Sequence, residues 1–142
     1  FFIERYIRCN RGLAALEFAL LAPALLMLLF GIIVYSIYFS AVMGVRHAAS
    51  EGARAAMAGL SPAERATLAS ARAHEVLSRY GTMLSGSTPA VVAAVDASSV
   101  GAFKVTVTYD MANSPIIRYG SIVPLPNNKK IESSVLVTNG GY

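Results

Sequence analysis

The chain has 142 residues, 55% of them hydrophobic and only 14% charged, with twelve Lys and Arg against eight Asp and Glu for a net charge of +4. That length suits one domain and leaves no room for a two-domain enzyme, and the basic excess is too small and too scattered for a nucleic-acid surface. Two His, no Trp and a single cysteine, Cys9, leave few groups for metal or nucleophile chemistry and allow no internal disulfide.

The apolar residues concentrate near the start. Between Leu13 and Val45 the only formal charge is Glu17, and the uncharged part from Phe18 to Val45 covers 28 residues. As a helix it would be about 42 Å long at 1.5 Å per residue. Roughly 20 apolar residues cross a bilayer core, so the run predicts a membrane-spanning helix whose last turns emerge from the lipid. Tyr35, Tyr38 and Phe39 fall toward the far interface, where aromatic rings favour the headgroup level. Arg5, Arg8 and Arg11 precede the run, whereas Arg46 and His47 follow it. This bias places the N-terminus in the cytoplasm and Cys9 on the reducing side. A cleaved secretory signal has an apolar region of about 7–15 residues, so the longer helix here is expected to stay with the protein.

Pro23 removes an amide proton from this helix and leaves the Ala19 carbonyl without its usual partner, which predicts a kink. Beyond the membrane, Gly44, Ala48, Gly52 and Ala56 recur every four residues and line one helix face that allows close backbone approach. Two readings stand for that stripe: packing of the chain's own C-terminal part, or a groove for another subunit. A continuous helix from Leu13 to Ala58 would be about 69 Å long, with Gly59 as its stop.

A second helix opens at Ser61 as N-cap, with Pro62 in the first helical position and Glu64 completing a capping box. Leu68, Ala69, Val76 and Leu77 form its apolar stripe, Arg65, Arg72 and Arg79 form a row on another side, and Gly81 ends it. The arginine row reads as a solvated face. Thr82 to Thr88 reads as loop. Strands are expected at Ala90–Val95, Phe103–Tyr109 and Ser133–Thr138, with a hairpin connection at Asp96–Gly101. Asp110 to Lys130 holds Pro115, Pro124 and Pro126 and reads as loop with short apolar anchors. Three strands need helices to cover their apolar face. The predicted class is α+β: a long N-terminal transmembrane helix, a second amphipathic helix and a small antiparallel sheet.

Glu17 is the odd residue. A carboxylate at the centre of a lipid-embedded helix costs about 2.5–3.5 kcal/mol on insertion scales and tends to mark function, although proximity to the cytoplasmic surface would also let it reach water. Arg11-Gly12-Leu13-Ala14-Ala15-Leu16-Glu17-Phe18 resembles the processing site of type IV pilin-like proteins of the tight-adherence branch, in which Gly, four residues, Glu and an aromatic residue follow one another. Phe18 stands where the major pilins of that branch have Tyr. Glu17-Phe18-Ala19-Leu20-Leu21-Ala22-Pro23-Ala24-Leu25-Leu26, with Ala48-Ala49-Ser50-Glu51-Gly52-Ala53-Arg54-Ala55-Ala56 downstream, resembles the TadE-like minor-pilin (pseudopilin) family over residues 11–57.

The resemblance implies cleavage between Gly12 and Leu13 by a prepilin peptidase. It divides the chain into a cytoplasmic leader (1–12), a transmembrane and periplasmic spine (13–59) and a periplasmic α+β head (60–142). It further implies an inner-membrane location, with other pilins, minor pilins and the pilus assembly platform as partners. A glycine at the scissile bond admits an extended backbone to a protease cleft. Glu17 lies one helical turn from the new Leu13 ammonium and could pair with it in the same subunit or in a neighbour, offsetting the desolvation of both charges.

No catalytic, cofactor or metal residues are expected. His47 and His74 lie 27 residues apart with no further ligands at zinc spacing; there is no Gly-x-Ser-x-Gly elbow and no phosphate-binding loop. The chain reads as a protease substrate rather than an enzyme. Two alternatives to a minor pilin are an unprocessed single-span scaffold of a secretion or pilus machine and a periplasm-facing surface-binding protein.

Overall fold

A computed structural model of the chain describes residues 10–81, 84, 86–115, 117 and 128–138. Arg5, Arg8, Cys9, Pro124 and Pro126 lie outside the described residues, as do parts of the two expected loops. Helix α1 spans Asn10–Ala56, 47 residues in all, and its helical assignment passes through Pro23 without interruption. It starts three residues earlier than the apolar run suggests. Ser36, inside the apolar part, is satisfied locally: its hydroxyl donates to the Ile32 carbonyl at 2.7 Å. The helix closes in a tightened turn, with Met57, Ala58 and Gly59 N–H groups reaching back three residues at 3.2 Å each.

Gly59 does not act as the expected helix stop. Among the described residues only Gly101 has a positive φ, of 75°, so Gly59 makes no left-handed cap. Its bareness serves close approach instead. A Cβ there would come within 2.8 Å of the Arg65 backbone nitrogen, and the Gly59 carbonyl accepts from Arg65 Nε at 3.1 Å.

Helix α2 runs Pro62–Arg79 and starts as its sequence predicts. Ser61 Oγ accepts from the Glu64 N–H at 3.2 Å. The Glu64 carboxylate accepts from the Leu60 N–H at 2.9 Å, one residue before the partner of a regular capping box. Ala69, Ala73, Val76 and Leu77 are buried, whereas Leu68 is exposed at the edge of the stripe. Gly81 also lacks a positive φ; α2 ends two residues before it, with the Tyr80 N–H on the Leu77 carbonyl.

The strands are β1 (Ala90–Val95), β2 (Ala102–Asp110) and β3 (Lys130–Thr138), antiparallel in the order β1-β2-β3. Their two joins align Val91 with Val107 and Val107 with Ser133. β1 matches its expected bounds, β2 is longer by one residue at each end, and β3 starts three residues early at Lys130. Alternation puts Phe103, Val105, Val107 and Tyr109 on the buried face. At the β1–β2 turn, Gly101 supplies the positive φ and the Asp96 N–H reaches the Ala102 carbonyl at 2.9 Å. The molecule is α+β, with the two helices forming one layer under the sheet.

The core has two connected parts. Ala41, Val45, Ala48 and Ala49 of α1 pack with Val76 and Leu77 of α2 and with Val107, Tyr109 and Met111. Farther along α1, Ala53 and Ala56 pack with Ala69, Phe103 and Val105. Small side chains on α1 let α2 and β2 approach closely. A Cβ on Gly52 would lie 3.0 Å from the Ala69 carbonyl oxygen and 3.3 Å from Val105 Cγ1, and one on Gly44 3.0 Å from the Tyr80 ring. Overpacking such a contact costs about 1–3 kcal/mol. Gly52→Leu is expected to lower the urea midpoint of the head accordingly, and an unchanged midpoint would contradict this packing.

Candidate functional site

Helix α1 divides into two halves with different surroundings. No residue between Gly12 and Ser40 is buried, while Ala41, Val45, Ala48, Ala49, Ala53 and Ala56 all are. The lower half is apolar all round: Leu13, Leu16, Phe18, Leu20 and Leu28 are each more than 60% exposed. Its most hydrophobic stretch has a mean hydropathy of 2.5 and is wholly unburied. An exposed apolar surface this long far exceeds the few hundred Å² a soluble protein tolerates. From Gly12 to Ser40 it measures about 43 Å, matching a bilayer with its headgroup layers. A helix of this kind is compatible with a single-pass membrane protein.

A ring cluster marks the upper limit of that half. The Tyr35 and Phe39 centroids are 6.4 Å apart, and those of Tyr38 and Phe39 are 5.9 Å apart, edge to face. Tyr38 also packs against the head core. The rings therefore sit where the exposed helix meets the folded head, the position an interfacial aromatic belt requires.

At the lower end, Gly12, Leu13, Glu17 and Phe18 lie on the first turns of α1, all of them exposed. Gly12 is helical, and a Cβ there would meet nothing within 4 Å. Glu17 follows Leu13 by four residues, about 6 Å along the axis and on the same face. Among the described residues no ion pair includes Glu17. Pro23 is exposed on the same bare half. Among the described residues, this end of the helix presents one exposed carboxylate amid exposed apolar side chains.

Gly44, Ala48, Gly52 and Ala56, by contrast, are all buried within the chain. The surface they offer is filled by α2 and β2. The opposite face of the upper spine is open and carries Met43, Arg46, His47, Ser50, Arg54 and Met57.

Ionic contacts join the spine to α2. Arg72 reaches Glu51 of α1 at 3.2 Å and Glu75 at 2.8 Å, and Arg79 reaches Glu75 at 2.9 Å. Arg54 stands 3.6 Å from Glu51. The arginine row is therefore more than a solvated face, since Arg72 ties two helices together and Arg65 holds the Gly59 carbonyl. The Glu75–Arg72 and Glu75–Arg79 pairs are visible as helical spacings of three and four. The Glu51 link is not, because it depends on how α1 and α2 cross. Among the described residues no group of three or more His, Cys, Asp and Glu could hold a metal ion.

Residues 12–54 match the family model described as TadE-like protein. The matched segment begins at Gly12 and ends within the buried part of the spine. No curated protein and no solved structure matches the chain.

A pH dependence follows from the Arg72–Glu75–Arg79 contacts along α2. Hydrogen bonds from Arg72 first, then Arg79, hold the Glu75 carboxyl below its usual range. A carboxyl depressed in the folded state stabilises it above the unfolded value, and this contribution disappears as pH falls through the folded one. Acidification below the ordinary carboxylate range should therefore lower the thermal midpoint of the head, and Glu75→Gln should flatten part of that slope. Identical acid profiles for the two proteins would rule out the linkage.

Proposed function

With a TadE-like segment from Gly12 through Arg54 as the premise, we propose that the chain is a minor pilin of a tight-adherence pilus. It is cleaved between Gly12 and Leu13 by a prepilin peptidase, and it takes part in pilus assembly from the inner membrane. The N-terminus faces the cytoplasm and the head faces the periplasm. The observation that carries this reading is the lone carboxylate, Glu17, exposed near the start of an apolar helix, five residues after Gly12 and beside Phe18.

That geometry supports the following physical sequence of events. Gly12 and Leu13 lie in the first turns of α1, so the scissile bond reaches a protease cleft only after the helix end unwinds. Few helical bonds are lost there, because terminal residues have unpaired N–H groups, and glycine favours the helix by about 1 kcal/mol less than alanine. Cleavage makes Leu13 the first residue and gives it an ammonium at a helix N-terminus, where the helix dipole disfavours a positive charge. The Glu17 carboxylate relieves that. Pairing with the ammonium of an adjacent subunit offsets the insertion cost of both charges and sets the height at which one spine seats beside the next.

The other partners follow from the same reading: the assembly platform, and further pilins whose spines share the membrane. The head, anchored above the headgroups, is the part that distinguishes this subunit from a bare helix. No enzymatic role is proposed.

Gly12→Val tests processing without disturbing the fold, since the site is open around Gly12. The variant is expected to keep its leader and to migrate as the longer form in cells with active peptidase. Glu17→Ala should still be cleaved, while its recovery in sheared pilus fractions falls. A Gly12→Val chain that is shortened as usual, or a Glu17→Ala chain that assembles normally, would remove the corresponding role. Wild-type chain that keeps its leader would favour an unprocessed scaffold.

A further inference from the structure

The height of the head along the spine follows from one close contact and one direction. A Cβ on Gly52 would lie 3.3 Å from Val105 Cγ1, so these two residues stand level. Along α1 from Ala41 to Ala56, the strand residues in the shared core change from Met111, Tyr109 and Val107 to Val105 and Phe103. β2 therefore descends toward the apolar half of the helix. From Val105 to Met111 the descent is about 20 Å at roughly 3.3 Å per residue. The same distance down α1 from Gly52 is about thirteen residues and ends near Phe39, in the ring cluster. The Met111 N–H donates to the Lys129 carbonyl at 2.8 Å, and Lys130 stands opposite Asp110. Lys129 and Lys130 thus lie at the height of the rings.

Both lysines are exposed, and among the described residues no ion pair includes either of them. Asp110, in register with Lys130, has its Oδ1 engaged by the Ala112 N–H at 2.8 Å. Glu132 lies farther up the sheet, opposite Thr108. Between Met111 and Ile131 the sequence contains no Asp or Glu, so the chain joining β2 to β3 supplies these lysines with no acid. Their charges are left for a partner outside the chain.

We propose that Lys129 and Lys130 seat the membrane-proximal end of the head on anionic phospholipid headgroups. Height selects this occupant. The exposed apolar half of α1 ends at Ser40, and the lysines enter at that level with no spacer between the rings and the head. A lysine ammonium is a point charge on a flexible stem, so it meets a phosphate without a shaped pocket. Its attraction to an anionic leaflet acts within a Debye length, about 8 Å at physiological salt, and favours the lipid by roughly fivefold per lysine. The lysines give the head a second hold on the membrane, on the β2–β3 side of the spine, which limits its tilt. The proposal rests on the membrane-spanning reading of α1 and is independent of processing at Gly12.

Fluorescence quenching of the full chain in vesicles tests it, in a Cys9→Ser background with a bimane on Ala112→Cys, an exposed position beside Met111. The vesicles are phosphatidylcholine with or without phosphatidylglycerol, and both carry the same share of a phosphatidylcholine with a nitroxide on its headgroup. Phosphatidylglycerol is expected to raise the quenching constant roughly two- to fivefold. High salt, or Lys129→Gln combined with Lys130→Gln, should remove the rise. Lys129→Arg combined with Lys130→Arg should keep it, which separates loss of charge from loss of fold. A quenching constant indifferent to phosphatidylglycerol, or a rise that survives the paired glutamine changes, would overturn the proposal. A second probe at Leu28→Cys, read against nitroxide in the acyl chains, reports the crossing itself. Quenching there with the Ala112 probe indifferent to lipid charge leaves the span standing and removes only the headgroup seat. No quenching at Leu28 removes the span, and the seat with it.

Discussion

The structure depends on one solvation constraint: about 43 Å of exposed helix with no polar face is suited to an apolar environment such as a bilayer and ill suited to water. A helix can enter that environment because it satisfies its own backbone groups, and Ser36 shows the same economy in its bond to Ile32. The two departures from an inert span are Pro23, which leaves a carbonyl free, and Glu17, which carries a charge. Pro23 is tolerated in membranes for general reasons. Glu17 has a standing cost unless something meets it, and for that reason the proposed function turns on its neighbour, Leu13.

Above the rings of Tyr35, Tyr38 and Phe39 the same helix changes its role. Alanine and glycine replace leucine on one face, and the head closes over them. Gly52 lies against the Ala69 backbone and Val105, and Gly44 lies under Tyr80, so the spine acts as the central strut of the head as well as its anchor. The Glu51–Arg72–Glu75–Arg79 cluster adds ionic contacts at the surface of that joint. The result joins the exposed apolar half of α1 to the head through one continuous helix.

Local chemistry made most of this layout legible in the sequence. The uncharged run announced α1, Ser61-Pro62 with Glu64 announced α2, and the alternation of Val105, Val107 and Tyr109 announced the central strand. The discrepancies arise where long-range contacts decide. Lys130 to Glu132 are charged at both ends and look unlike a strand, yet they are held in register by Asp110 and Thr108. Gly59 resembles a helix stop, yet its lack of a side chain is explained by Arg65. Which occupant fills the Gly44–Ala56 stripe was equally open, because small residues suit an internal partner and an external one alike. At the foot of the helix the reverse holds. Gly12, Leu13, Glu17 and Phe18 stand out as a pattern in the chain, while the fold contributes only their exposure and helical spacing, since the proposed cleavage is carried out by another protein.

The most direct measurement is the intact mass and first residue of the protein extracted from membranes of a cell with active prepilin peptidase. The proposed function predicts a chain starting at Leu13 and lacking the mass of residues 1–12. A chain that still carries Gly12 and the residues before it would contradict the central claim.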